Sequence, residues 1–152
     1  KYAQQGDFKK FSFTKPKVSD LDFSFSGLKT GILYFIQKNL KENPAFIEEN
    51  LFDICASIQH TIVEILLEKL KNTVKLTGIK HIAIAGGVSA NSEIRKRLQL
   101  AEKHWGWTTY IPKFEYTTDN AAMIAISGYL KYKGEKYADI SVKAEARLKV
   151  SE

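Results

Sequence analysis

Ala83-Ile84-Ala85-Gly86-Gly87-Val88-Ser89-Ala90-Asn91 is an apolar run that passes through two glycines into small, helix-starting residues. That order predicts a buried strand, a tight turn and a capped helix, a junction suited to a nucleotide or an adenosine group. Val88 is the one bulky side chain of the turn, so the backbone can approach a ligand closely. The helix beyond it offers free amides and the positive end of its dipole. Gly-Gly alone is a weak signal. It gains weight from a second junction of the same kind one strand further on, Thr117-Thr118-Asp119-Asn120-Ala121-Ala122-Met123.

Around this turn, the nearly all-apolar residues 80–85 predict a central parallel strand covered on both faces. Ser89 is read as the N-cap of a helix reaching about Lys103, with Ile94, Leu98 and Ala101 facing inward. A strand over 108–111 follows, ended by Pro112. Strand, helix and strand together make a βαβ unit with both βα junctions on one edge of the sheet, where a ligand site belongs. Upstream, Phe11-Ser12-Phe13-Thr14 and Phe23-Ser24-Phe25-Ser26 alternate apolar with polar residues around the turn-forming stretch 16–20, and predict a hairpin.

Ser26-Gly27-Leu28-Lys29-Thr30 then opens a helix of about fourteen residues, apolar at Ile32, Phe35, Ile36 and Leu40 and stopped by Pro44. A longer helix from about 44 to 75 repeats Leu51, Ile54, Cys55, Ile58, Ile62, Ile65, Leu66 and Leu70 at spacings of three and four, a core stripe closed by Gly78. The last helix is expected to start at Thr118 and to turn Ala122, Ile126 and Tyr129 inward, with Gly128 allowing a close contact. Residues 139–150 alternate weakly and read either as an edge strand or as a poorly ordered end.

The 152 residues, 44% hydrophobic, suffice for one packed domain or half of a larger one. No uninterrupted apolar run of membrane-spanning length and no signal-peptide pattern stands in the sequence, so a soluble protein is expected. The single cysteine, Cys55, cannot form an internal disulfide, which fits a reducing cytoplasm, and its place on an apolar helix face predicts core packing. Lys and Arg outnumber Asp and Glu by 23 to 17, a net charge of +6. That balance permits an anionic partner, but the basic residues are scattered and no RNA-binding module accompanies them. The chain opens at Lys1 and its only methionine is Met123. It is therefore expected to be a piece of a longer protein.

Three segments carry a resemblance: Asp22-Phe23-Ser24-Phe25-Ser26-Gly27-Leu28-Lys29-Thr30, Ala85-Gly86-Gly87-Val88-Ser89-Ala90-Asn91 and Thr118-Asp119-Asn120-Ala121-Ala122-Met123-Ile124-Ala125. In order and approximate spacing they resemble the TsaD family, the tRNA adenosine threonylcarbamoyltransferases once described as O-sialoglycoprotein endopeptidases. The resemblance implies an α/β fold: an actin-like (ASKHA) architecture of two ribonuclease-H-like lobes with the active site between them. Residues 1–134 would form the second, C-terminal lobe, with a mixed sheet and flanking helices. Residues 135–152 would form a tail, and the N-terminal lobe would lie outside this chain.

The resemblance also implies the reaction, transfer of threonylcarbamoyl from threonylcarbamoyl-AMP to the exocyclic amine of adenosine 37 in tRNAs that read codons starting with A. A bound metal, iron or zinc, would orient and polarise the mixed anhydride, and contacts to the AMP would retain the leaving group. Asp119 matches the family's metal-ligand aspartate; its alternative role is an acid in the first turn of a helix. Asn91 matches the adenylate-binding asparagine, or else makes a purely local hydrogen bond. Gly86 and Gly87 let the backbone pass the adenosine, or serve tight strand-to-helix packing. Ser26, Gly27, Lys29 and Thr30 sit at a predicted strand end, where Lys29 is open to a phosphate or tRNA role or to a structural one.

The remaining metal ligands of the family are two histidines of an HxxxH-like helix in the first lobe, and its phosphate loop and ribose contacts lie there too. His60, His81 and His104 are far apart in sequence and are read as structural or solvated. The chain alone is thus expected to bind metal poorly and to catalyse nothing. Implied partners are tRNA, a TsaB-like paralogue, a TsaE-like ATPase and a TsaC-like source of the adenylate, in the cytoplasm and without a membrane. Two rival functions stand beside this: the nucleotide-binding lobe of another actin-like kinase or ATPase, and a non-catalytic scaffold. A protease is disfavoured, since no serine, cysteine or zinc-protease constellation is present.

Overall fold

The computed structural model describes residues 1–16, 18, 21–143 and 145. The chain is mixed α/β, with four α-helices and two short strands among the described residues: α1 Phe25–Glu42, α2 Phe46–Thr77, β1 His81–Ala83, α3 Ser92–Trp105, β2 Thr108–Tyr110 and α4 Ala121–Lys133. It divides into two compact units. The first comprises Lys1–Ile84 and Asn91–Ile111, and the second Ala85–Ala90 and Pro112–Glu152.

In the first unit α2 is the organising element. Glu48 and Glu49 lie in its first turn, where they favour the dipole, and Gly78 ends it in a left-handed conformation with its N–H bonded to the Val74 carbonyl. Of its predicted stripe Ile54 and Ile65 are buried, Ile58, Ile62, Leu66 and Leu70 are partly buried beside two cores and Cys55 is half-buried, while Val63 and Leu67, outside that stripe, are buried. Val63 and Leu67 join Ile82, Ile94, Leu98, Ala101 and Trp107, with Leu66 and Leu70 at the margin, while Ile65 joins Leu28 and Phe13. By length and composition α2 is the one helix among the described residues that could cross a membrane, yet Val63, Ile65 and Leu67 within it belong to the cores just described.

The βαβ unit forms as expected, with β1 and β2 parallel and His81, Ile82 and Ala83 opposite Thr108, Thr109 and Tyr110. The strand is not covered on both faces, however: Ile82 is buried between exposed His81 and Ala83, and β1 has one hydrogen-bonded neighbour among the described residues. The Ile82 face packs against Leu98 and Trp107, while on the other face His81 stacks on the Tyr110 ring at 6.1 Å between centroids. Ile94, Leu98 and Ala101 face inward as predicted, and Gly106 closes α3.

The predicted hairpin does not form. Residues 11–14 run without a ladder, and Phe25 already belongs to α1. Helical geometry wins because it buries Leu28 beside Phe13 and Ile65 and lines up Ile32 and Phe35 behind it. Phe11 and Phe13 then pack edge-on to Phe35, each at 5.2 Å between ring centroids, while Phe23 and Phe25 stay exposed and stack on each other. Pro44 does separate α1 from α2. Residues 17, 19 and 20 of the expected turn lie outside the described residues.

Gly6 shows a close approach of backbones: a Cβ there would lie 2.1 Å from the carbonyl oxygen of Phe52 in α2. The N-terminal segment is also tied to α2 by the Asp7 N–H, which donates to the Asp53 carboxylate, and by an ion pair from Lys10 to the same carboxylate at 2.7 Å.

In the second unit α4 starts at Ala121, three residues later than predicted, because Asn120 caps it by accepting from the Met123 N–H. Among the described residues none of α4 is buried, the expected inward residues Ala122, Ile126 and Tyr129 included, and a Cβ built at Gly128 meets nothing within 4 Å. Of the tail, Asp139 to Ser141 forms a turn in which the Ser141 N–H donates to the Asp139 carboxylate, and residues 144 and 146–152 lie outside the described residues.

Candidate functional site

The Gly-Gly turn lies in the second unit. Gly86 has φ of +74°, a left-handed conformation that a residue with a side chain adopts at a cost. Its carbonyl then accepts both the backbone N–H of Ser89 at 3.0 Å and the Ser89 hydroxyl at 2.7 Å, closing one 3₁₀ turn over Gly87–Ala90. Ser89 is therefore buried and committed to the turn, and it is not the cap of α3 as expected. Gly86 and Gly87 are exposed, and a Cβ at either would meet nothing within 4 Å. Among the described residues the turn presents open backbone at both glycines.

Asn91, in the first unit, takes the capping role. Its Oδ1 accepts from the N–H groups of Glu93 at 3.0 Å and Ile94 at 3.2 Å, which satisfies two of the free amides of α3. Its Nδ2 donates to Gln59 Oε1 on α2 at 3.5 Å. The local hydrogen bond weighed in the sequence is thus present, and one N–H of the amide is left over. Gln59 and Asn91 share the wall of a cavity of about 350 Å³ with Tyr2, Cys55 and Ile58. A neighbouring cavity of about 490 Å³ is lined by Gln59, His60, Ser92, Glu93, Lys96 and Arg97.

Asp119 belongs to the second unit and precedes the cap of α4, so it is not an acid of the first helical turn. It is exposed and forms no hydrogen bond or ion pair among the described residues. No group of three or more His, Cys, Asp and Glu stands together among the described residues. His60 lies against the Phe8 ring at 4.4 Å between centroids, His81 Nδ1 is 3.2 Å from the Tyr110 hydroxyl, and His104 is in the last turn of α3. Ser26, Lys29 and Thr30 are exposed in the opening turns of α1, where the Thr30 hydroxyl donates to the Ser26 carbonyl at 3.1 Å.

Sequence reasoning missed Gln59 and the Glu64–Arg97 pair. Arg97 of α3 donates to Glu64 of α2, and Lys15 lies 4.0 Å from the same carboxylate. Burial opposes ionisation of Glu64, but the Arg97 hydrogen bond and the charges of Arg97, His60 and Lys15 outweigh it and hold the carboxyl below its ordinary value. The signal was latent in the helix periods, since Gln59 and Glu64 lie on the α2 surface that meets α3, but no one-dimensional pattern pairs two helices.

The chain matches the model of a family described as TsaD: tRNA N6-adenosine threonylcarbamoyltransferase over residues 1–126. Three curated relatives carry the name tRNA N6-adenosine threonylcarbamoyltransferase. The one from Christiangramia forsetii is 62% identical over 98% of this chain, that from Riemerella anatipestifer 54% over 99%, and that from Porphyromonas gingivalis 49% over 99%. In each the match covers 44% of the relative, so the chain spans less than half the length of the curated relatives it matches.

Proposed function

The chain belongs to the TsaD family, and from that premise we propose that it is the second actin-like lobe, residues 1–134 with a tail over 135–152, of an enzyme that modifies tRNA in the cytoplasm. The whole enzyme transfers threonylcarbamoyl from threonylcarbamoyl-AMP to the exocyclic amine of adenosine 37. Its partners are a TsaB-like paralogue and a TsaE-like ATPase. The observation that carries this reading is the Gly-Gly turn, Asn91 and Asp119 standing together in a sequence so similar to transferases of that name.

Gly86 and Gly87 contribute an open backbone edge against which an adenosine group can lie, since no side chain stands there. Asn91 contributes the N–H its other bonds leave over, which suits an acceptor atom of the adenylate. Asp119 contributes an exposed carboxylate unpaired among the described residues, a hard oxygen donor of the kind a divalent iron or zinc ion accepts. One carboxylate does not hold such an ion. The described residues do not fit the metal by themselves.

The test is to complete this chain with the part of the Christiangramia forsetii relative it does not span, supply threonylcarbamoyl-AMP and unmodified tRNA, and measure the modified nucleoside by mass. Product is expected from the completed polypeptide and not from the 152 residues alone, and Asp119→Ala should lower it by about a hundredfold or more. Phosphoryl transfer to a sugar by the completed protein would favour the kinase alternative. Undiminished product with Asp119→Ala would leave this lobe a scaffold.

A further inference from the structure

We propose that Gln59 is a positioning residue for the transfer reaction: its side-chain carbonyl fixes the amide of Asn91 so that one N–H is aimed at the adenylate. The proposal rests on the reading of Asn91 as an adenylate contact. Both residues belong to the first unit, and the bond between them joins the middle of α2 to the start of α3. The orientation of each amide follows from its partners. The N–H groups of Glu93 and Ile94 only donate, so Asn91 turns Oδ1 to them and Nδ2 to Gln59, whose Oε1 must then be the atom that accepts. Turning the Asn91 amide over would set Nδ2 against two donors. The two ends of the side chain therefore enforce one orientation.

A packing role needs no acceptor at this place. Ala56, Gln59 and Val63 recur at spacings of three and four along α2, and Ala56 and Val63 are 4% and 1% exposed, so an amide stands in a row of buried apolar side chains. Gln59 is half-buried, and among the described residues the bond from Asn91 is the one hydrogen bond it makes. A cap alone leaves the Asn91 amide free to rock about its Oδ1. The second anchor removes that freedom before substrate arrives, which lowers the entropic cost of binding without touching the reacting atoms.

The test uses this chain completed by the missing part of the Christiangramia forsetii relative, and reads KM for threonylcarbamoyl-AMP and kcat separately. Gln59→Met keeps the length of the side chain and removes the acceptor. It should raise KM about three- to tenfold, the range of one neutral hydrogen bond, with kcat within about twofold and the melting temperature unchanged. Gln59→Glu keeps an acceptor and should hold KM within about twofold of the native value. In an Asn91→Asp background, where the amide N–H groups are gone, Gln59→Met should add nothing further. Unchanged KM in Gln59→Met while Asn91→Asp raises it overturns the proposal and leaves the functional reading standing. A rise that persists undiminished in Asn91→Asp, or that Gln59→Glu shares, also overturns it, since Gln59 would then act apart from Asn91 or through something other than its acceptor. Unchanged KM with Asn91→Asp removes the reading of Asn91 itself, and the proposal with it.

Discussion

The side chain of Asn91 joins two helices: its Oδ1 accepts from two amides of α3, and its Nδ2 donates to Gln59 Oε1 on α2 at 3.5 Å. The acceptor side and the donor side of this amide can be tested apart. Asn91→Asp keeps a good cap and should change stability by less than about 0.5 kcal/mol, whereas Asn91→Ala should cost about 1 kcal/mol in urea denaturation. In the completed enzyme both substitutions remove the remaining N–H. Each should therefore raise the KM for the adenylate about tenfold, and an unchanged KM with Asn91→Asp would confine Asn91 to capping.

Leu98 is 1% exposed, at the centre of the core between α2, α3 and β1. Leu98→Ala should destabilise the chain by about 2–5 kcal/mol, read as a lower urea midpoint with little change in slope.

Glu64 should give stability a pH dependence. Its folded pKa is depressed, so the stabilisation is present above the ordinary glutamate value of 4.5 and is lost as pH falls below that through the folded value. Melting temperature should fall on acidification below about pH 4.5 more steeply in the native sequence than in Glu64→Gln. Parallel curves for the two proteins would assign the acid limb to other carboxylates.

Gly6 admits no side chain against the Phe52 carbonyl. Gly6→Ala should move the N-terminal segment off α2 and cost about 1–3 kcal/mol, with faster exchange at the Asp7 amide, which donates to Asp53. Gly31 is a control in α1, since a Cβ there meets nothing within 4 Å, and Gly31→Ala should be neutral or stabilising.

Much of the fold was legible where one residue or one period decides. Pro44 cannot continue a helix, Gly78 accepts the left-handed end of α2, and Ile94, Leu98 and Ala101 fall on one face of α3. The hairpin was misread because Phe-Ser-Phe-Ser satisfies a strand period over four residues, while the helix that absorbs its second half is decided by Leu28 meeting Phe13 and Ile65. Ser89 and Asn91 are both good caps, and choosing between them needed the hydrogen bond from Ser89 to Gly86.

By itself the sequence determined the order of helices and strands downstream of Pro44, the two glycine and aspartate junctions, and the family, because these depend on residue types at short, fixed spacings. The tertiary structure alone decided that α1 takes the place of a strand, that Gln59 meets Asn91 and that Arg97 meets Glu64. Each of those is set by residues distant along the chain. Burial free energy depends on what packs against a side chain, and period and propensity carry no record of it.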